Sequence, residues 1–531
     1  MTLTLEHFEQ LAAQTTDQVL LSGADARLAL DPNTGLNKYG CRSRPDTDLI
    51  AFGSSTGSTI SERGFQAASR LHQRLLREDN TLSESALYHY ELERIRLELN
   101  QLCGFSVHTE VASIFAASGT DLHLICAQLV KGDHPDQPPL HIIMMEACET
   151  GSGVAPAVRG QHFSDNAALG GKVTALATLS GAYPMQVTSI RLRQSTGLKR
   201  PLAEIDAEVD ALIKISLAAQ QRVLLITIDV SKTGLIAPSP AYIASLRSNY
   251  PDQIDVMIDA CQFRIANSTL NAYLKHGCMV AVTGSKFLTG PVFSGVLHIP
   301  PNLIPRLSAQ KIPAALADYS ARAEWPTGWQ AAAQLSAAVN WGLLLRLEAA
   351  LAELKAFRAI PETQVIKFLN QFASAMQTAI NASPHFELMA ESQLSRSPIC
   401  NASGWDQIPT IFPFLLMHQP GKPISRDQTA LVYKQLQFPV PLSSQEKSHL
   451  ELNLTLNSTR HPDIAALRCQ LGQPVLCGHQ HGEDVSALRM CASSRVIIEA
   501  CENGGGSGAG ERVIGRALQA LQKAANLIQK L

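Results

Sequence analysis

Seven apolar runs alternate with segments of helical spacing between residues 110 and 299, and this alternation restricts the fold more than any other feature. The runs are "EVASIFAA" (110–117), "LHIIMMEA" (140–147), "TSIRLR" (188–193), "RVLLITIDV" (222–230), "IDVMIDA" (254–260), "MVAVTG" (279–284) and "GVLHI" (295–299). A strand with one wet face alternates apolar and polar residues, and most of these runs do not. The spacing predicts helices over 120–130, 203–219, 239–248 and 267–276 between them. Apolar strands separated by helices imply a mostly parallel sheet covered on both faces, an α/β domain over roughly residues 50–300.

The remainder of the 531 residues is too much for one simple core, so a second lobe is expected. The reading divides the chain into an N-terminal arm (1–50), a large domain (51–330) and a smaller α+β domain (331–531). Five prolines mark 300–345 as linker-like, and a long helix is predicted from Ala331 to Phe357. Strands are predicted at 410–417, 449–456 and around 486–494. "GGGSGAG" (504–510) reads as a flexible break before a closing amphipathic helix, 511–531; no Lys-Ser/Thr pair follows it, so it is a poor phosphate loop.

A formal net charge of -2 points to neither a nucleic acid nor an anionic membrane surface. The 11 cysteines form no paired framework and read as thiols of a reducing compartment. The N-terminus lacks the basic start and apolar core of a signal peptide, and no apolar run is long enough to span a bilayer. A cytoplasmic protein is expected.

In open α/β sheets ligands bind beyond the carboxyl ends of the strands. Four features fall there: Ser118-Gly119-Thr120 opening a helix, Glu149-Thr150, Asp259 with Gln262, and Lys286. Free amides and a hydroxyl at a helix N-terminus suit a phosphate. A carboxylate on a pyridine nitrogen keeps it protonated, and a partly desolvated lysine can form a Schiff base. Each feature has a plainer reading: an N-cap, a turn aspartate, a solvated lysine. Their order and shared strand-end location favour a pyridoxal 5'-phosphate site.

The same residues carry a family resemblance. The chain resembles fold-type I pyridoxal phosphate enzymes of the class V aminotransferase and cysteine desulfurase group, over residues 50–300 and more thinly to about 500. "IDACQ" is similar to the family's Asp-Ala-x-Gln, which implies Asp259 on the pyridine nitrogen and Gln262 on the phenolic oxygen. "TGSK" resembles Ser-x-His-Lys, implying Lys286 as the Schiff-base lysine with Thr283 and Ser285 near the phosphate. "ASGTD" implies Gly119 and Thr120 on the phosphate, and "IDVSKTGLIAP" implies Ser231 near the ring. "FGSSTGSTIS", with Ser55, takes the place of the N-terminal substrate loop. Two positions depart from the pattern: Thr150 stands where relatives often stack a histidine on the ring, and Ser285 replaces the histidine before the lysine.

In the small lobe "SALRMCAS" resembles the strand whose arginine binds a substrate carboxylate, implying Arg489; a core-edge arginine fits as well. "LGQPVLCGHQHG" resembles the loop that carries a desulfurase's nucleophilic cysteine, but His481 falls at that position and Cys477 lies four residues earlier. Cys477, His479 and His481 lack a second cluster, and no metal site is expected. "EWPTGW" lies where relatives send a loop to a partner subunit's phosphate, making Thr327 a candidate beside its reading as a turn residue. Arg42 and Arg44 fit a substrate carboxylate or an ordinary surface equally.

The resemblance implies a homodimer acting on a small amino-acid-like substrate. Lys286 would serve as base at the α-carbon and Asp259 would keep the ring charged. Aminotransferase chemistry is ranked first, and C–S lyase or desulfurase chemistry second. A non-catalytic binding or regulatory protein on the same fold is the third reading.

Overall fold

The computed structural model describes residues 11–77, 82–105, 110–132, 138–182, 185–389, 394–439, 463–505 and 508–531. The apolar runs form strands β2 (Ala112–Ala116), β3 (Leu140–Met145), β4 (Gln186–Ile190), β5 (Arg222–Asp229), β7 (Ile254–Ala260), β8 (Met279–Thr283) and β9 (Gly295–Ile299), following β1 (Leu49–Phe52). A short β6 (Ile236–Ala237) pairs with β5, and together they make an eight-stranded sheet in the order β2-β9-β8-β7-β5-β3-β4. β9 runs antiparallel to both neighbours; β8, β7, β5, β3 and β4 are joined in parallel.

Alternate residues of each central strand enter different cores. Leu225, Val256, Ile258 and Val280 pack into one, and Leu224, Ile226, Met257 and Met279 into the other. Both faces are covered, which is why the sequence shows unbroken apolar runs. Helices Gly119–Lys131, Leu202–Ala218, Pro240–Asn249 and Asn267–Lys275 connect the strands. The architecture is the α/β one expected.

A second sheet holds β1, β10 (Phe386–Leu388), β11 (Ile411–Gln419), β12 (Lys422–Pro423), β13 (Arg468–Gln480) and β14 (Glu483–Cys491). Its order is β1-β13-β14-β11-β10, with β12 on β11. β1 joins it in parallel, Leu49 opposite Arg468 and Phe52 opposite Leu471. The segment that follows β1 is thereby carried between the two sheets.

Three expectations change. The helix expected from Ala331 starts at Trp341, capped by Asn340 Oδ1 accepting from the Leu343 amide at 2.9 Å. Arg322 binds the Ala333 and Leu335 carbonyls, which a helix would need for itself. A further helix, Glu362–Ala382, follows after Pro361. The linker-like stretch is packed: Leu303, Leu307, Leu316, Trp325 and Trp329 lie in the large sheet's second core. The "LGQPVLCGHQHG" segment is strand and hairpin rather than loop, with Pro474, which has no N–H, at an irregularity between Gly472 and Val475. The 449–456 strand lies outside the described residues. So do residues 506 and 507 of the glycine run, whose flanks end one helix at Gly505 and start another at Ala509. Among the described residues no helix is long and apolar enough to cross a membrane.

Candidate active site

Because β2, β3, β7 and β8 point the same way, their carboxyl ends share one edge. A cavity of about 210 Å³ opens there, lined by Gly119, Thr120, Thr150, Asp259, Thr283, Ser285 and Lys286 from the large sheet. Ser55 enters from the segment after β1, and Arg489 from β14. With Ser118, ten of the residues singled out in the sequence meet at this one place.

At one end is an anion cradle. Ser118 caps the helix Gly119–Lys131, its hydroxyl accepting from the Asp121 amide at 3.3 Å. The first amides of a helix have no partner within it and carry its positive dipole end. Gly119 leaves little room for a side chain: a Cβ would sit 3.0 Å from Cys261 Sγ and 3.3 Å from Thr283 Cγ2. Arg27 donates to Thr120 Oγ1 at 3.2 Å and Ser118 Oγ at 3.3 Å while its Nε is clasped by Asp25 at 2.8 Å. Burial, with the Asp25 carboxylate nearby, pushes the Asp121 carboxyl up to about 7, so the cradle carries less negative charge than its sequence suggests.

In the middle, Asp259 faces His123. His123 donates from Nδ1 to the Gly119 carbonyl at 2.6 Å, and its Nε2 lies 3.2 Å from Asp259 Oδ2. The Cys261 amide donates to Asp259 Oδ1 at 3.1 Å. Burial alone would raise the Asp259 carboxyl, but His123 and the Lys286 ammonium hold it well below the usual carboxylate range. Lys286 is half-buried in the turn after β8, where its carbonyl accepts from the Thr289 amide, and its ammonium makes no hydrogen bond or ion pair among the described residues. Its turn is pinned from behind, since a Cβ on Gly284 would lie 2.4 Å from Ala350 Cβ of the helix Trp341–Arg358.

At the far end Arg489, 1% exposed, holds the walls in place. It donates to Thr56 Oγ1 at 2.8 Å, the Gln473 carbonyl at 2.5 Å and the Lys232 carbonyl at 3.3 Å, while its buried Nε has no acceptor among the described residues. Lys232 also lines the cavity and donates to the Cys148 carbonyl at 3.1 Å. Burial and the neighbouring Arg489 and Lys286 lower its ammonium to about 8.

Other singled-out residues lie elsewhere. Ser231, fully buried, donates to Glu149 Oε2 at 2.7 Å within a cluster of Glu149, Arg193 and Thr233, and the next residue, Lys232, takes the cavity wall. Gln262 sits behind the lining and donates to the Ser55 carbonyl at 3.0 Å, fixing the substrate-loop segment. Thr327 is exposed beside Trp325 and Trp329 in a separate groove. Cys477 is buried in β13, its thiol donating to the Val475 carbonyl at 3.2 Å and pushed up to about 11 by burial. His481 is exposed at the hairpin turn with φ 51° and meets the Gly421 carbonyl. Arg42 pairs with Asp46 at 3.1 Å and Arg44 with Asp17 at 2.9 Å.

The sequence reading missed His123, Arg27, Lys38, Tyr39 and Lys232, all of which line the cavity. His123 had a usable signal: four residues after Gly119 on a helix, it stands one turn below the cradle. The N-terminal residues had none, because only packing brings them to the sheet edge.

No protein-family model matches the chain, and no curated protein matches it. Solved structures do. The chain is 14% identical to the cysteine desulfurase CsdA from Escherichia coli, covering 90% of this chain and 95% of that one, with a TM-score of 0.47. It is 15% identical to the cystine C–S lyase C-DES in complex with its product cysteine persulfide, covering 89% and 98%, with a TM-score of 0.49. A C-DES variant with glycine covalently linked to its PLP cofactor gives 15%, 90%, 99% and 0.49. Likenesses of this depth leave the chemistry of the cavity to be read from its own residues.

Proposed function

We propose that the chain is a pyridoxal phosphate-dependent enzyme acting at the α-carbon of a small amino-acid-like substrate. The observation that carries this is the single cavity in which a lysine ammonium without a hydrogen-bond partner, a carboxylate kept ionised by a histidine, and a helix N-terminus opened by glycine meet. The residues suit the cofactor's parts. Gly119, Thr120 and Arg27 would hold the phosphate, Asp259 the pyridine nitrogen and Lys286 the aldehyde carbon. When bound, the cofactor supplies an electron sink for the bond pair released at the α-carbon.

The chain's own contribution is positional and acid–base. Lys286 is the residue that would take the proton from the substrate α-carbon. Asp259 holds its negative charge because His123 faces it in a dry site. Arg489 presents a guanidinium to a carboxylate at the far end. Elimination of a β-substituent, C–S lyase chemistry included, is put first because one substrate and one base complete it. Amino-group transfer, the second reading, asks the same cavity to accept a 2-oxo acid as well.

The test is to add pyridoxal phosphate to the purified protein, reduce with borohydride and map the labelled peptide. Three lysines line the cavity, and the label is expected on Lys286; a label on Lys38 or Lys232, or none, sinks the assignment. Pyruvate and sulfide from cysteine then identify elimination, and a 2-oxo acid retaining the substrate's carbon chain and β-substituent identifies transfer. A desulfurase route needs a protein thiolate to take the sulfur. Cys477 is buried and protonated, so Cys477→Ser is expected to keep kcat/KM within about twofold of the parent. A hundredfold loss in a steady-state sulfide assay would restore the thiol to the mechanism.

A further inference from the structure

The cavity holds more positive charge than a cofactor phosphate and one substrate carboxylate require. Arg27, Lys38, Lys232, Lys286 and Arg489 line it, and Asp259 is the one acid among the lining residues. The cations divide by place. Arg27 belongs to the cradle, through Ser118, Thr120 and Asp25. Lys232 and Arg489 belong to the opposite end, joined where Arg489 Nη1 donates to the Lys232 carbonyl.

An ammonium has three donors. The Lys232 ammonium places one on the Cys148 carbonyl and makes no other hydrogen bond or ion pair among the described residues. Glu149, the acid closest in sequence to Cys148, is spent on Arg193, Ser231 and Thr233 inside the protein. Two cations thus stand side by side in the cavity wall; Glu149 is close enough to act on both charges but forms its hydrogen bonds with other groups, so neither cation has a carboxylate in hydrogen-bond contact. Cations held this way are costly unless an anion pairs with them. One α-carboxylate satisfies one of them.

We propose that Lys232 forms a second anion subsite beside Arg489, so that the substrate is an amino acid with an acidic group on its side chain. This rests on the amino-acid reading above. Its recognition chemistry is a charge-assisted hydrogen bond from the ammonium to a side-chain oxyanion, with Arg489 on the α-carboxylate.

Ligands without an amine separate the subsite from the cofactor chemistry. Calorimetric titrations would compare succinate with its monoamide, succinamate, on the full chain, with and without pyridoxal phosphate. Succinate is expected to bind about tenfold to a hundredfold more tightly, the usual worth of one hydrogen bond to a charged group. Lys232→Met is expected to erase the preference and Lys232→Arg to restore most of it. Lys232→Gln, which keeps a polar end without the charge, guards against an effect of polarity alone and should behave as the Met variant. Equal affinity in the parent protein, or a preference that survives in both neutral variants, overturns the proposal. A protein that shows the preference but takes up no cofactor keeps the subsite and loses the enzyme reading. A cofactor-loaded protein without the preference does the reverse.

Discussion

Lys286→Ala is expected to abolish borohydride-stable labelling and to lower turnover about 10⁴-fold or more, because one substitution removes both the covalent anchor and the α-carbon base. The cradle at Gly119 and Thr120 and the Asp259–His123 pair are untouched, so the variant should still bind the cofactor without a covalent bond. Lys232 is not expected to take over. Its ammonium is held on the Cys148 carbonyl, and it lies at the Arg489 end of the cavity. Added methylamine, small enough to enter the space left by the side chain, should recover part of the turnover. Equilibrium dialysis for binding and product formation for turnover separate the two losses. A variant that keeps more than about a tenth of parental turnover would remove Lys286 from the base's role.

The second large effect concerns the joint between the two sheets. Arg396 makes a two-pronged ion pair with Asp229 at the end of β5, at 2.6 and 2.7 Å, with both side chains 2% exposed or less. Its third nitrogen donates to the Asp406 carbonyl at 2.6 Å, and Tyr273 donates to Asp229 at 2.7 Å. Arg396→Met would leave Asp229 buried with Tyr273 as its main donor. Loss of one partner of a buried pair costs about 3–5 kcal/mol, whereas replacing both partners by neutral groups is far milder. Urea unfolding of Arg396→Met should show that loss, and the double variant Asp229→Asn/Arg396→Met should regain much of it. A single variant within about 1 kcal/mol of the parent would show that water reaches the pair and screens it.

The strands of the large sheet were readable because a doubly covered sheet turns burial into continuous apolar runs, a pattern local to a few residues. Strand ends follow from strands, so the order of residues alone places Gly119, Thr150, Asp259, Thr283, Ser285 and Lys286 on one edge. The side of the chain on which a turn residue projects could not be read in the same way. The turn after β5 sends Ser231 inward to Glu149 and Lys232 to the cavity, and an offset of one residue exchanges the two roles. Cys477 reads as a loop residue because its segment resembles a desulfurase cysteine loop, yet that segment pairs with the neighbouring strand β14 and Cys477 is buried in it.

What the sequence by itself determined is the α/β order of the large domain and the row of polar residues at its strand ends, since periodicity and strand length are properties of short stretches of chain. What only the tertiary structure decided is which distant residues complete the cavity. Arg27 reaches Thr120 across 93 positions, Arg489 reaches Thr56 across 433, and β1 joins the C-terminal sheet. Such contacts are selected by how whole elements pack and share hydrogen bonds, and no local pattern encodes them.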